Sequence, residues 1–120
     1  MGLENKRVHQ RVRVSIPVEI TEPGGASVTV GRFVDFSAGG GSLMVNKCFP
    51  LDANVFVSFE VGTEKYIQIA SRVVRSKQNP EFCSLGIAFL NLTPVMADRF
   101  DRLVRRLHSL KERGMSKGSI

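Results

Sequence analysis

Val12-Arg13-Val14-Ser15-Ile16-Pro17-Val18-Glu19-Ile20 alternates apolar with polar or small side chains along its whole length. Successive side chains of a strand point to opposite faces, so Val12, Val14, Ile16, Val18 and Ile20 share one side. That pattern predicts a strand buried on one face only. Pro17 has no N–H to give to a ladder, which points to an edge or a locally irregular strand. Glu22-Pro23-Gly24-Gly25 then reads as a turn.

The same grammar continues downstream. Strands are expected around residues 28–34 and 42–46, separated by a connection from Asp35 to Gly41. Pro50-Leu51-Asp52-Ala53-Asn54 leads into a strand with Val55, Val57, Phe59 and Val61 on one face, and Gly62-Thr63-Glu64 turns the chain. Residues 66–75 form a fifth candidate, with Ile67, Ile69, Ser71 and Val73 on one side and Ala70, Arg72 and Val74 on the other. After the turn Gln78-Asn79-Pro80-Glu81, the residues Cys83, Leu85, Ile87 and Phe89 line a sixth. Six short strands with turn signals about every ten residues predict a mainly β, antiparallel barrel or sandwich. A barrel removes exposed edges, but periodicity alone leaves both open.

The period changes after Asn91. Thr93 can cap a helix, Pro94 suits its first position, and Met96, Phe100, Leu103, Leu107 and Leu110 recur at steps of three and four. This predicts an amphipathic helix over roughly 94–112 with a basic face of Arg99, Arg102, Arg106 and Arg113. Its apolar stripe is expected to dock on the sheet; a partner or membrane surface is the alternative. Residues 113–120, beginning near Gly114, read as a frayed tail.

The chain's 120 residues, 42% of them hydrophobic, suit one small domain with a modest core. No apolar run is long enough to span a bilayer. The basic start is not followed by the apolar stretch of an export signal, and Met1-Gly2 is followed by Lys6 where myristoylation wants Ser or Thr. Cys48 and Cys83 stand far apart with no CxxC spacing, so free buried thiols and a cytoplasmic location are expected. His9 and His108 have no metal-ligand spacing, and no metal site is expected. The net charge of +6 is uneven. Residues 1–20 carry net +2, residues 21–92 carry six charges of each sign, and residues 93–120 carry net +4. Positive ends around a neutral body suit phosphates, solubility or an acidic partner.

Two clusters carry chemistry. Lys6, Arg7, His9, Arg11 and Arg13 gather before and inside the first strand, and an arginine fork can hold a phosphate or the O6/N7 edge of guanine. Read without the rest of the chain, Arg7 and Arg11 are a solvated basic tail. Asp35-Phe36-Ser37-Ala38-Gly39-Gly40, continued by Gly41, offers a carboxylate, a hydroxyl and glycines that allow close approach. By itself this is a structural loop. Neither a phosphate-binding GKS or GKT nor a strand–GxGxxG–helix unit is present. HExxH-like and paired-carboxylate arrangements are missing too, so catalysis is not expected and catalytic residues are none.

Together, RxxxR at Arg7-Val8-His9-Gln10-Arg11, DxSxxG at Asp35-Phe36-Ser37-Ala38-Gly39-Gly40, and Leu85-Gly86-Ile87-Ala88-Phe89-Leu90-Asn91-Leu92 before the terminal helix resemble the PilZ domain, the bacterial receptor family for cyclic di-GMP. The resemblance spans about residues 5–110. It implies a six-stranded antiparallel β-barrel with a C-terminal amphipathic helix over one opening, divided as a flexible arm and arginine switch at 1–11, the barrel and helix at 12–112, and a tail at 113–120. It implies that Arg7 and Arg11 hold guanine and phosphate, that Asp35, Ser37 and Gly40 form the turn motif, and that Lys6, Gly39, Gly41, Arg32 and Arg72 are further candidates. Lys6 before the arginine motif leans toward a stacked cyclic di-GMP dimer rather than one molecule.

The function this implies is a cytoplasmic adaptor that changes its surface on binding cyclic di-GMP and regulates motility, pili, exopolysaccharide or biofilm formation through a protein partner. The alternatives are a nucleotide-independent interaction domain acting through the terminal helix, and nonspecific binding of DNA or RNA by the basic ends. Specific DNA or RNA recognition is not expected, since one tyrosine and no tryptophan leave few stacking platforms.

Overall fold

In a computed structural model that describes residues 10–25 and 27–117, with side chains through residue 111, the alternating segment forms β1 (Val12–Thr21). Val12, Ile16, Val18 and Ile20 are buried and Val14 packs against the same core. The chain continues through β2 (Thr29–Ser37), β3 (Gly40–Val45), β4 (Asn54–Val61), β5 (Glu64–Gln78), β6 (Cys83–Phe89) and α1 (Pro94–Lys117). The strands close in the order β1-β2-β3-β6-β5-β4, with β4 returning to β1 and every pairing antiparallel. Closure settles barrel against sandwich. Pro17 pairs Arg32 of β2 just before the ladder to β4 begins at Val18, and lies next to a register shift between Arg13 and Ile16, the locally irregular place its missing N–H calls for.

Three departures from the sequence reading matter. First, the Asp35–Gly41 connection is mostly strand. Asp35 pairs Ser42, Phe36 pairs Gly41 and Ser37 pairs Gly40, leaving only Ala38 and Gly39 as the turn. A register shift between Phe33 and Asp35 breaks the two-residue period. Phe33 and Phe36, three apart, consequently both point inward with no exposure.

Second, Ile67 does not share the inner face of Ile69, Ser71 and Val73. Opposite β4, two steps from Val57 to Phe59 face three from Ile69 to Tyr66. The extra residue is taken up near Gln68, which holds a φ of 53° and gives its N–H to Ser58 Oγ at 2.8 Å. Tyr66 turns into the core and Ile67 turns out, 62% exposed.

Third, Cys48 and Cys83 are not free thiols but form a disulfide, with Cα atoms 5.3 Å apart. Val45 pairs Cys83 in the ladder, and the chain leaving β3 brings Cys48 back beneath β6. Periodicity cannot report such a return. Beside it, Phe49 is buried, closing the barrel end where β6 begins.

The other end is closed by α1. Thr93 caps it as expected: its hydroxyl accepts the N–H of Met96 at 3.1 Å. Phe100, Leu103 and Val104 are buried. The Phe100 ring lies 5.8 Å from Phe36, 5.2 Å from Tyr66 and 5.0 Å from Phe89, an aromatic plug in the barrel mouth. Val104 joins the buried stripe, while Leu110 is 49% exposed and leaves it. The helix runs to Lys117 rather than 112. Gly114 costs about 1 kcal/mol inside a helix and does not forbid it.

Candidate functional site

The β2–β3 hairpin tip lies at the helix end of the barrel and is built from its own short side chains. Ser37, buried, gives its hydroxyl hydrogen to the Gly40 carbonyl at 3.3 Å and accepts the Gly39 N–H at 3.2 Å. The Phe89 N–H reaches the Gly39 carbonyl at 2.9 Å, tying the turn to β6. Gly40 has a φ of 152°, and a Cβ there would strike the Ile87 carbonyl oxygen. Only glycine allows the hairpin to lie this close on β6. At Gly41 a Cβ would meet the Phe33 ring and the Asp35 carbonyl. In this geometry Ser37, Gly40 and Gly41 shape and hold the turn.

Asp35 lies just before that turn with its carboxylate on the outer face. Its Oδ1 accepts Arg11 Nη1 at 2.6 Å and the Ser42 N–H at 3.2 Å. The ion pair is partly exposed, 42% for Arg11 and 26% for Asp35. Arg11 immediately precedes β1, whose Arg13 pairs Asp35 in the ladder. The register thus delivers the second arginine of RxxxR onto the first residue of DxSxxG, although 24 positions separate them in sequence.

A second cation closes on the same place. Arg75 of β5 lies across β6 and gives Nη2–H to Ser42 Oγ at 3.0 Å. Its path crosses Gly86, where a Cβ would stand 2.9 Å from Arg75 Nη1. Gly86 thereby leaves a channel for the guanidinium. The sequence reading singles out neither Ser42 nor Arg75. A register shift between Val73 and Arg75 leaves Val74 and Arg75 both exposed, so simple alternation does not place Arg75. Gly86 in a strand, in the stretch Leu85–Leu92, is the one signal that could have pointed there.

The remaining candidates divide. Arg32 gives a hydrogen bond to Ser15 Oγ at 2.7 Å, and Arg72 pairs loosely with Asp52 at 3.6 Å. Neither engages the Arg11–Asp35 pair. Arg7 and Lys6 lie outside the described residues. The outer face therefore presents two guanidinium groups, one carboxylate, one hydroxyl and glycine backbone. That set can grip a phosphodiester and meet the polar edge of a flat base. Among the described residues no group of three or more His, Cys, Asp or Glu side chains could hold a metal ion, and no helix is long and apolar enough to cross a membrane.

Comparison with solved structures finds this fold repeatedly. The PilZ domain of YcgR from Escherichia coli, solved with c-di-GMP, is 14% identical with a TM-score of 0.75, over 97% of this chain and all of that one. The Bacillus subtilis inhibitor of motility MotI/DgrA is 15% identical with a TM-score of 0.75, over 91% of this chain and 54% of that one. The PilZ domain of CeSA from a cellulose-synthesizing bacterium is 21% identical with a TM-score of 0.64, over 82% of this chain and 98% of that one. The chain thus spans about half the length of MotI/DgrA, and likewise half of YcgR in its complex with c-di-GMP. No curated protein gives a significant match. The family model for the PilZ domain matches residues 5–106, which takes in all six strands and about the first half of α1, and the chain belongs to the PilZ domain family.

Proposed function

We propose that this domain is a reversible cyclic di-GMP receptor and adaptor, acting by binding rather than by catalysis. The observation that carries the reading is the Arg11–Asp35 pair at 2.6 Å, set beside Ser42 and Arg75 on an open barrel face. Cyclic di-GMP carries two phosphodiester charges and two guanines. Arg11 and Arg75 supply forks for phosphate or guanine, and Asp35 supplies an acceptor for guanine N–H groups. Family membership supports the same ligand, as does the fold shared with the YcgR domain solved with c-di-GMP.

In this reading Arg11 and Asp35 satisfy each other until ligand arrives, and the nucleotide then shares or replaces their contact. Arg7 and Lys6 complete the clamp from residues 5–11, and Lys6 favours a stacked dimer of ligand over one molecule. Any backbone residue that binding fixes opposes it by roughly 1–2 kcal/mol. The altered surface acts on a protein partner that controls motility, pili, exopolysaccharide or biofilm formation.

Isothermal titration calorimetry of the folded protein with cyclic di-GMP tests the reading and reports stoichiometry. Saturable heat in the low-micromolar range is expected, and none at that concentration would refute it.

A further inference from the structure

The helix that closes the barrel has a second face. Val95, Arg99, Arg102, Arg106 and Leu110 fall at steps of four, three, four and four, which places them in one stripe of an α-helix. The stripe is about 22 Å long at 1.5 Å per residue. It is apolar at both ends, with Val95 72% and Leu110 49% exposed, and cationic between them. This flank lies beside the buried stripe of Phe100, Leu103 and Val104 and is not part of the core.

Between the stripe and the start of β5 lies a cleft of about 380 Å³ lined by Glu64, Arg99, Arg102, Leu103 and Arg106. Three guanidinium groups and one carboxylate line it. Glu64 stands 3.9 Å from Arg99 and 3.7 Å from Arg106, ion-pair contacts too long for hydrogen bonds. Arg102 pairs with Asp98 at 3.0 Å along the helix, both side chains well exposed. Arg99 is oriented by the Tyr66 ring, its Cζ 4.8 Å from the centroid. The Glu64 carboxyl is held below its ordinary value, first by the hydrogen bond from Tyr66 and then by Arg106, Arg99 and Arg102, with desolvation opposing them. With Asp98 on Arg102 and Glu64 between Arg99 and Arg106, three guanidinium groups meet two carboxylates, which leaves one positive charge in excess.

We propose that the Val95–Leu110 flank of α1 and the Glu64 cleft form a docking site for a partner protein segment that carries several carboxylates between apolar side chains. The charge pattern selects acidic groups, and the exposed Val95 and Leu110 select a protein segment over a bare anion. Glu64 acts as an internal competitor that an incoming carboxylate displaces or joins. The site shares no side chain with the Arg11–Asp35 pair and needs no nucleotide.

Fluorescence anisotropy of the full chain, without nucleotide, tests this with a labelled short peptide of Glu pairs flanked by Leu and with its all-Gln counterpart. The acidic peptide should bind saturably and the Gln peptide should not. The double variant Arg102→Glu/Arg106→Glu should weaken binding by about tenfold or more. Glu64→Gln should strengthen it several-fold. Lys47→Glu/Lys77→Glu, which changes net charge equally at the opposite barrel end, should leave it within about twofold. Circular dichroism checks that each variant is folded. Equal loss in both double variants would reduce the effect to net charge and overturn the proposal. So would tighter binding of inorganic polyphosphate with the same dependence on Arg102 and Arg106, or no binding of the acidic peptide at all.

Discussion

Arg75 and Gly86 act as a unit: the glycine supplies the room and the arginine uses it to reach Ser42. Arg11 and Asp35 form the matching unit from the other side. Neither arginine is buried, so Arg11→Ala and Arg75→Ala should leave the fold intact. Each removes a charged donor from the proposed nucleotide site, and such bonds contribute about 1.5–3 kcal/mol. Cyclic di-GMP affinity measured by calorimetry should therefore fall about tenfold or more in each variant. Unchanged affinity in Arg75→Ala would remove that residue from the site. Arg11 and Asp35 are legible in the sequence because their spacing to neighbours is local. Arg75 is not, because a register shift decides which side of β5 it takes and Gly86 decides how far it reaches.

At the scale of elements, the β2–β3 hairpin and α1 meet through aromatic rings. Asp35 faces outward at the proposed site, while its neighbour Phe36 faces inward onto Phe100 of α1 at 5.8 Å. Phe100 is fully buried, and its truncation leaves a cavity where four rings converge. Phe100→Ala should cost about 3–5 kcal/mol, read as a lower urea midpoint. The chain's single tyrosine, Tyr66, stacks in the same plug, so acrylamide quenching of its emission should rise if the helix loosens. An unchanged midpoint and unchanged quenching would show that the helix is held elsewhere. The existence of the helix and its cap is written in Thr93, Pro94 and the three-and-four spacing. Which residues it buries is not: Val104 goes in and Leu110 stays out because the barrel mouth, not the helix, sets where contact ends.

At the scale of the whole molecule, the barrel is closed at one end by α1 and pinned at the other by Cys48–Cys83, 35 residues apart in sequence. A bond closing a loop of that length restricts the unfolded chain and stabilises the fold by about 2–4 kcal/mol. Cys48→Ser should lower the urea midpoint under oxidising conditions, and reductant should destabilise the parent chain without further effect on the variant. A parent chain indifferent to reductant would show that the bond contributes nothing to stability. By itself the sequence determined six strands, a capped terminal helix, an uneven charge and two motifs of the PilZ kind, because side-chain alternation, capping and turn chemistry act over a few residues. Only the tertiary structure decided that the sheet closes, that Phe36 and Tyr66 point in while Ile67 points out, that the cysteines meet, and that Arg75 joins Arg11 beside Asp35. Those outcomes depend on register between strands far apart in the chain. One extra residue in a ladder reverses every face beyond it, and local pattern carries no record of where that residue falls.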